Sequence, residues 1–130
     1  VFDRKRGVMS YVQAGGCHGI HLPADGDKKL QRFDTSRIGP ALGLIPESTY
    51  QHIAMEAQPG DKFFFYTDGI IEAPLRGEEF SEPRLVNFLQ TNRQSKLDDL
   101  LDGLIKTVQE FNQDETFADD VCVLLASVRH

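Results

Sequence analysis

Residues 59–73 read PGDKFFFYTDGIIEA, and this stretch decides how the whole chain is interpreted. Pro-Gly-Asp at 59–61 is a strong turn signal. The almost wholly apolar run at 62–67 follows it and is typical of a strand that is buried on both faces. Asp68 and a glycine then end the run. The stretch therefore predicts a tight turn, a central strand and an aspartate fixed where that strand ends.

Outside this stretch, short apolar runs separated by glycine and proline breaks predict further strands. We expect strands over 8–14, 19–23, 30–33, 50–57 and 121–128, an irregular but ordered loop over 37–46, and a polar loop over 74–79. The chain therefore contains mostly strands in its first half and one more strand at its end.

Two segments before the last strand have a helical period instead. Apolar residues recur at helical spacing over 97–111 and predict an amphipathic helix, for which Ser95 and Asp98 resemble a capping box. A shorter helix is expected over 81–92, with the serine at its start as the cap. Strands followed by helices, rather than a regular alternation of the two, indicate the α+β class.

The composition excludes several classes of protein. A length of 130 residues corresponds to one domain, and a net charge of −6 argues against nucleic acid or an anionic membrane as the main partner. No apolar run approaches the roughly 20 residues that a membrane span needs. Cys17 and Cys122 are too few for a disulfide framework, and Cys122 lies in an apolar run where we expect it to be buried. We therefore expect a cytoplasmic protein.

Carboxylates that follow or precede buried strands are the candidate metal ligands. Asp68 follows the central strand, and Asp119 and Asp120 precede the last one. Hard divalent cations such as Mg²⁺ or Mn²⁺ bind oxygen ligands held at fixed positions, and a pair of such ions can activate water and clamp a phosphoryl oxygen. Asp-Gly is also a common turn dipeptide, and Asp-Asp can simply end a loop. Spacing alone leaves both interpretations open.

Four strings occur in a particular order along the chain: YVQAGG at 11–16, GPALGL at 39–44, PGDKFFFYTDGIIEA at 59–73 and FADDVCVLLASV at 117–128. This ordered set resembles the bacterial, stage II sporulation protein E-like branch of the type 2C (PPM) metal-dependent serine/threonine protein phosphatases. The resemblance implies two sheets packed face to face with helices outside. It also implies hydrolysis by a metal-activated water, without a covalent intermediate.

The same resemblance implies roles for individual residues. Asp68 matches the metal-ligand aspartate of the family's Thr-Asp-Gly motif, and Asp119 matches the ligand aspartate of its closing motif. Asp120 is a weaker candidate, because eukaryotic relatives have asparagine there. Glu72 would lie one helical turn after Asp68, where it would contact a metal-bound water or stay solvated. No side-chain nucleophile is implied, and two Mn²⁺ or Mg²⁺ ions are expected in a complete domain.

The chain also departs from the family pattern. Where the family has Asn-Ala-Gly-His, this chain has Gln13-Ala14-Gly15-Gly16, and a histidine comes only at His18. Either an insertion allows His18 to serve, or that histidine's contribution is absent. Cys17, His18 and His21 form a cluster with too few ligands for a good zinc site.

The family's first metal motif, Asp-x-x-Gly-His, has no counterpart here. We therefore expect residues 1–130 to be the C-terminal portion of a single PPM-type domain, inactive alone, with uncovered sheet edges that favour a homodimer.

The implied partners are a phosphoprotein substrate of the anti-sigma-factor antagonist type and an upstream sensor or response-regulator domain. A rival interpretation is a pseudophosphatase that keeps the fold as a binding or adaptor module without turnover. A third is an unrelated α+β binding domain, for which the ordered motifs would be coincidence. Retention of Asp68 and Asp119 argues against the pseudophosphatase, and Gly16 in place of the family histidine argues weakly for it.

Overall fold

The computed structural model describes residues 1–16, 18–114 and 116–129. Cys17, one of the three residues weighed as zinc ligands, lies outside these residues. The strands of the protein are β1 (Phe2–Asp3), β2 (Val8–Tyr11), β3 (His18–Leu22), β4 (Gln31–Arg32), β5 (Ile53–Glu56), β6 (Lys62–Tyr66), β7 (Pro74–Leu75), β8 (Glu78–Glu79) and β9 (Val123–Ser127). Its helices are α1 (Glu82–Asn92) and α2 (Leu97–Asn112). The α+β class is therefore confirmed.

The strands form two main antiparallel sheets and a hairpin. One sheet has the order β1-β2-β5, the other has the order β4-β3-β6-β9, and β7 pairs with β8. The central apolar run is β6, which lies between β3 and β9 as an interior strand of the larger sheet. Both of its neighbours are far from it in sequence, so the sheet brings distant segments together beside the end of β6.

Both faces of β6 are buried, as the apolar run predicts. Phe64 and Tyr66 contribute to a core on one face that is completed by α1 and α2. Phe63 contributes to a second core on the other face. Side chains of β1, β2 and β5 pack against that second core, namely Phe2, Met9, Tyr11 and Met55. The two sheets thus pack face to face with the helices outside, and burial of each large apolar side chain stabilises this arrangement by about 1.5–3 kcal/mol.

The helices lie where the helical period predicts them. Leu85 and Leu89 of α1 are buried, and they share one core with three apolar side chains of α2, Leu100, Leu104 and Val108. Among the described residues, neither helix is long and apolar enough to cross a membrane.

The predicted helix caps are only partly correct. The capping box is wrong, because Lys96 occupies the N-cap of α2 and makes no side-chain cap bond. Asp98 and a second aspartate lie in the first turn instead, where negative charge interacts favourably with the helix dipole. Ser81 is the N-cap of α1 as predicted, but its side chain makes no cap hydrogen bond.

Two other details differ from the predictions. The polar loop at 74–79 is a hairpin of β7 and β8, since Arg76 and Gly77 both take positive φ angles, the conformation that tight two-residue hairpin turns require. Cys122 is exposed rather than buried. It precedes β9, an edge strand on which alternate side chains face outward, and position 122 has the same parity as the exposed Leu124.

Candidate metal centre

Asp68 lies at the point where β6 ends and the backbone turns. Thr67 is still extended, with φ −96° and ψ 162°, and a single 3₁₀ turn then covers Asp68–Ile70. Ile70 is fully buried and anchors this turn in the helix-side core. The Asp68 side chain is 50% exposed. A buried anchor thus holds a carboxylate at the surface of the larger sheet.

The loop that carries Asp119 and Asp120 lies directly beside this turn. The Thr67 side chain joins the two, because its Oγ1 donates to the carbonyl oxygen of Asp120 at 3.2 Å and accepts from the backbone nitrogen of Cys122 at 3.0 Å. The backbone nitrogen of Thr67 also donates to the carbonyl oxygen of Cys122 at 3.1 Å. These bonds extend the pairing of β6 and β9 by one step, so the two acidic segments meet at one end of the sheet.

Gly69 determines how closely the two segments approach. A Cβ atom at this position would lie 2.6 Å from the Asp120 carbonyl oxygen, a distance that real Cβ atoms do not tolerate. Gly69 does not take a positive φ angle, so the requirement for glycine here is one of space. The glycine of the Thr-Asp-Gly motif therefore allows the aspartate before it to lie near the Asp119–Asp120 loop.

Among the described residues, His18 contacts the Asp68 carboxylate. Its Nε2 lies 2.8 Å from Asp68 Oδ1, and since a carboxylate only accepts, the imidazole donates. His18 opens β3 and pairs with Tyr66 of β6 in the sheet register, and the two rings stack with centroids 5.3 Å apart. The sequence leaves the role of His18 open, and the structure shows that His18 contacts Asp68, the first candidate ligand.

Tyr66 is itself held from the opposite side. Its hydroxyl donates to Glu82 Oε1 at 3.1 Å, and the same oxygen lies 3.0 Å from Arg32 Nε. Burial, the charge and hydrogen bond of Glu82 and the charge of Asp68 raise the pKa of Tyr66 far above its ordinary value, against the effect of Arg32. The phenol is neutral throughout the physiological range. A buried tyrosine hydroxyl needs a partner, but nothing local in sequence predicts Glu82 as that partner.

The other candidates are placed as follows. Asp119 and Asp120 are both exposed, and Asp119 Oδ1 accepts from the backbone nitrogen of Asp120 at 2.7 Å. Glu72 is exposed, and its backbone nitrogen donates to the Asp68 carbonyl oxygen, which places it one helical turn after Asp68. His21 is paired with a buried carboxylate, that of Asp61, and so is engaged away from any zinc cluster. The metal roles of these residues stay predictions.

The donors fit a hard divalent cation in chemical kind. They are carboxylate oxygens on two adjoining loops, and Mg²⁺ is commonly bound through one or two carboxylates, with waters and substrate phosphates completing its octahedron. Within the described part of the chain, no group of three or more His, Cys, Asp or Glu side chains is positioned to hold a metal ion. Asp68 and the Asp119–Asp120 loop would therefore supply part of a ligand set.

Comparison with known proteins gives one family. The sequence model described as stage II sporulation protein E (SpoIIE) matches residues 1–129. Protein IcfG of Synechocystis sp. is 33% identical over 97 residues, a match that covers 74% of this chain and 15% of that protein.

Two solved structures show the same fold. The SiaA-PP2C domain of Pseudomonas aeruginosa has a TM-score of 0.73 at 22% identity, covering 96% of this chain and 48% of that one. The phosphatase domain of SpoIIE from Bacillus subtilis, presoaked with Mn, has a TM-score of 0.73 at 15% identity, covering 100% of this chain and 55% of that one. This chain thus spans about half the length of each solved domain.

Proposed function

Because the chain belongs to the stage II sporulation protein E (SpoIIE) family, we propose that it forms part of a metal-dependent serine/threonine phosphatase that acts on a phosphorylated signalling protein. One observation supports this more than any other. The β6 turn that presents Asp68 adjoins the Asp119–Asp120 loop, and Gly69 leaves no room for a Cβ atom between them. Two acidic motifs that are far apart in sequence are thereby held together at one sheet end.

In this proposal Asp68 and Asp119 hold the cations, Mn²⁺ or Mg²⁺, with Asp120 as a weaker ligand. When bound, such ions activate water and neutralise charge on the phosphoryl group. The protein's own contribution is to fix the carboxylates on a rigid sheet, so that positioning and electrostatics carry catalysis. No side chain needs to act as a nucleophile.

The whole protein's context is part of the proposal. Residues 1–130 would be the C-terminal portion of one PPM-type domain, in line with the coverage of about half of the solved domains. The substrate would be an anti-sigma-factor antagonist or a protein of that kind, and a sensor or response-regulator domain would lie upstream. A net charge of −6 favours a protein substrate over nucleic acid. We place the protein in the cytoplasm, where such signalling partners occur.

The test is an Asp68→Asn substitution in the full-length protein. We expect phosphate release from a phosphorylated antagonist protein with Mn²⁺ or Mg²⁺ to fall by about 100-fold or more, because a lost ligand removes charge stabilisation from the transition state. EDTA should stop the wild-type reaction. Phosphate release is measured colorimetrically, and binding of Mn²⁺ by calorimetry.

Asp27→Asn is the matched control, since Asp27 is an exposed aspartate in the turn between β3 and β4. It should leave both measurements unchanged. Near-normal turnover by Asp68→Asn would contradict the ligand assignment. Tight binding of the phosphoprotein with no phosphate release under either metal would support the adaptor interpretation instead.

A further inference from the structure

We propose that His18 is a positioning residue that holds the Asp68 carboxylate in its metal-binding orientation. The proposal rests on the proposed function, since it concerns the same site. Its central observation is the contact of 2.8 Å between His18 Nε2 and Asp68 Oδ1. The imidazole Nε2 donates to Asp68 Oδ1, and in this proposal the cation binds the second carboxylate oxygen, Oδ2.

The sheet register explains why position 18 can do this. His18 lies opposite Tyr66 in the antiparallel pairing of β3 and β6. Thr67 continues the extended backbone, so Asp68 falls on the same face as Tyr66 and becomes the diagonal neighbour of His18. Diagonal neighbours are about 7–8 Å apart, a gap that a histidine and an aspartate side chain bridge together. A histidine at position 19 would face the other core, where Gly19 packs against Phe33.

The imidazole is also restrained from behind. It stacks on the Tyr66 ring at an interplanar angle of 29°. Tyr66 cannot turn away easily, because its side chain is buried and its hydroxyl is bonded to Glu82, which is paired with Arg32. Residues of β4 and α1 therefore hold the Tyr66 side chain, the Tyr66 ring holds the His18 ring, and His18 holds the Asp68 carboxylate.

In the part of the chain that the structure describes, His18 makes the side-chain contact that restrains the Asp68 carboxylate. The backbone turn holds the Cα of Asp68, but the carboxylate is half exposed, and without the hydrogen bond from His18 it would be free to change rotamer. Hydrogen bonds to metal-binding carboxylates reduce this freedom, and loss of such an outer partner typically weakens metal affinity by about 10- to 100-fold. His18 is the side chain in position to supply that bond.

Two substitutions at His18 in the full-length protein separate the effect of the hydrogen bond from that of ring packing, and a third substitution elsewhere is the control. His18→Phe keeps an aromatic ring over Tyr66 but removes the donor. His18→Gln removes the ring but keeps an amide N–H donor at a similar reach. His52→Phe is the matched control, because His52 is exposed in the segment before β5. Each variant is titrated with Mn²⁺ by calorimetry, melted in EDTA, and assayed for phosphate release from a phosphoprotein.

We expect His18→Phe to weaken Mn²⁺ binding by about 10- to 100-fold and to melt in EDTA at the wild-type temperature. His18→Gln should recover most of the affinity, and His52→Phe should match the wild type in all three measurements. Phosphate release at limiting Mn²⁺ should follow affinity, and excess Mn²⁺ should restore much of it to His18→Phe.

The remaining outcomes overturn the proposal in distinguishable ways. Wild-type affinity in His18→Phe shows that the hydrogen bond has no positioning role, while the phosphatase proposal stands. Equal loss in His18→Gln and His18→Phe shows that the imidazole itself is required, as a ligand would be. An EDTA melting temperature that falls in parallel with affinity shows a structural role. A wild-type protein that binds no Mn²⁺ removes the proposed function and this inference together.

Discussion

The sequence predicts Asp61 only as part of a turn, but in the structure its carboxylate is buried and holds three neighbouring groups by hydrogen bonds. Its side chain is only 5% exposed in a protein whose other acidic groups are mostly solvated. It accepts hydrogen bonds from the backbone nitrogens of Ala24 at 2.8 Å and Gln58 at 2.9 Å, and from His21 Nε2 at 2.7 Å. Burial acts to raise the pKa of Asp61, but these bonds and the His21 charge outweigh it and hold the pKa below its ordinary value.

Asp61→Asn should lower the free energy of unfolding at pH 7 by about 2 kcal/mol, because an amide cannot satisfy three donors aimed at a carboxylate. The pH dependence should change as well. A lowered folded-state pKa gives stability that is present above the unfolded value of about 3.8 and is lost as the pH falls through the folded pKa. Below pH 4 the variant should therefore lose less stability than the wild type.

Urea unfolding at pH 7 and at pH 3 measures both effects. Asp27→Asn, in the exposed turn nearby, should change neither. If Asp61→Asn is as stable as the wild type at pH 7, the three hydrogen bonds do not contribute as described.

At the level of elements, hydrophobic periodicity predicts well which segments form helices and strands, but it predicts poorly where the strands end. The helix expected over 97–111 is observed as Leu97–Asn112, since its apolar stripe faces a single core. The strand expected over 8–14 ends at Tyr11. Beyond it the chain leaves β5 and bonds Gly39 instead, through Gly15 and Gln13. Such a change of partner depends on a loop distant in sequence, so no local pattern could reveal it.

Gly69 tests whether the contact between two loops matters for the site. Gly69→Ala introduces a Cβ atom 2.6 Å from a backbone oxygen, so the Asp68 turn and the Asp119–Asp120 loop must separate. We expect a loss of about 1–3 kcal/mol in the free energy of unfolding, typical of overpacking, and weaker Mn²⁺ binding. Gly16→Ala is the matched control, because a Cβ atom there meets nothing within 4 Å. Unchanged Mn²⁺ affinity in Gly69→Ala would show that the two loops do not share an ion.

Across the whole molecule, the ordered motifs predict the family and the layered fold, and both are confirmed. They also single out Asp68 and Asp119, whose segments the sheet does bring together. The sequence does not predict the side-chain contacts around these aspartates. The contact of His18 with Asp68, and that of Tyr66 with Glu82, depend on strand register and helix packing rather than on any motif. The ligand roles themselves stay predictions.

The acidic character of the molecule makes one further outcome measurable. Asp68, Asp119 and Asp120 lie on adjoining, solvent-exposed segments of a chain whose net charge is −6. A cation bound between the end of β6 and the loop before β9 would link two segments of the chain. In sequence, one of these segments precedes both helices and the other follows them. Because the unfolded chain cannot present these groups together, binding energy becomes folding stability.

Mn²⁺ should therefore raise the melting temperature of the full-length protein in a concentration-dependent way. At free Mn²⁺ of about 100 times the Kd, the gain is about 2.7 kcal/mol in the free energy of unfolding. Asp68→Asn and Asp119→Asn should each reduce the shift, whereas Asp27→Asn should keep it in full. Differential scanning calorimetry over a range of Mn²⁺ concentrations, with EDTA as the zero point, measures the effect. A shift of equal size in Asp68→Asn and in the wild type would mean that Mn²⁺ binds elsewhere, since a site that includes this carboxylate cannot lose it without a loss of affinity.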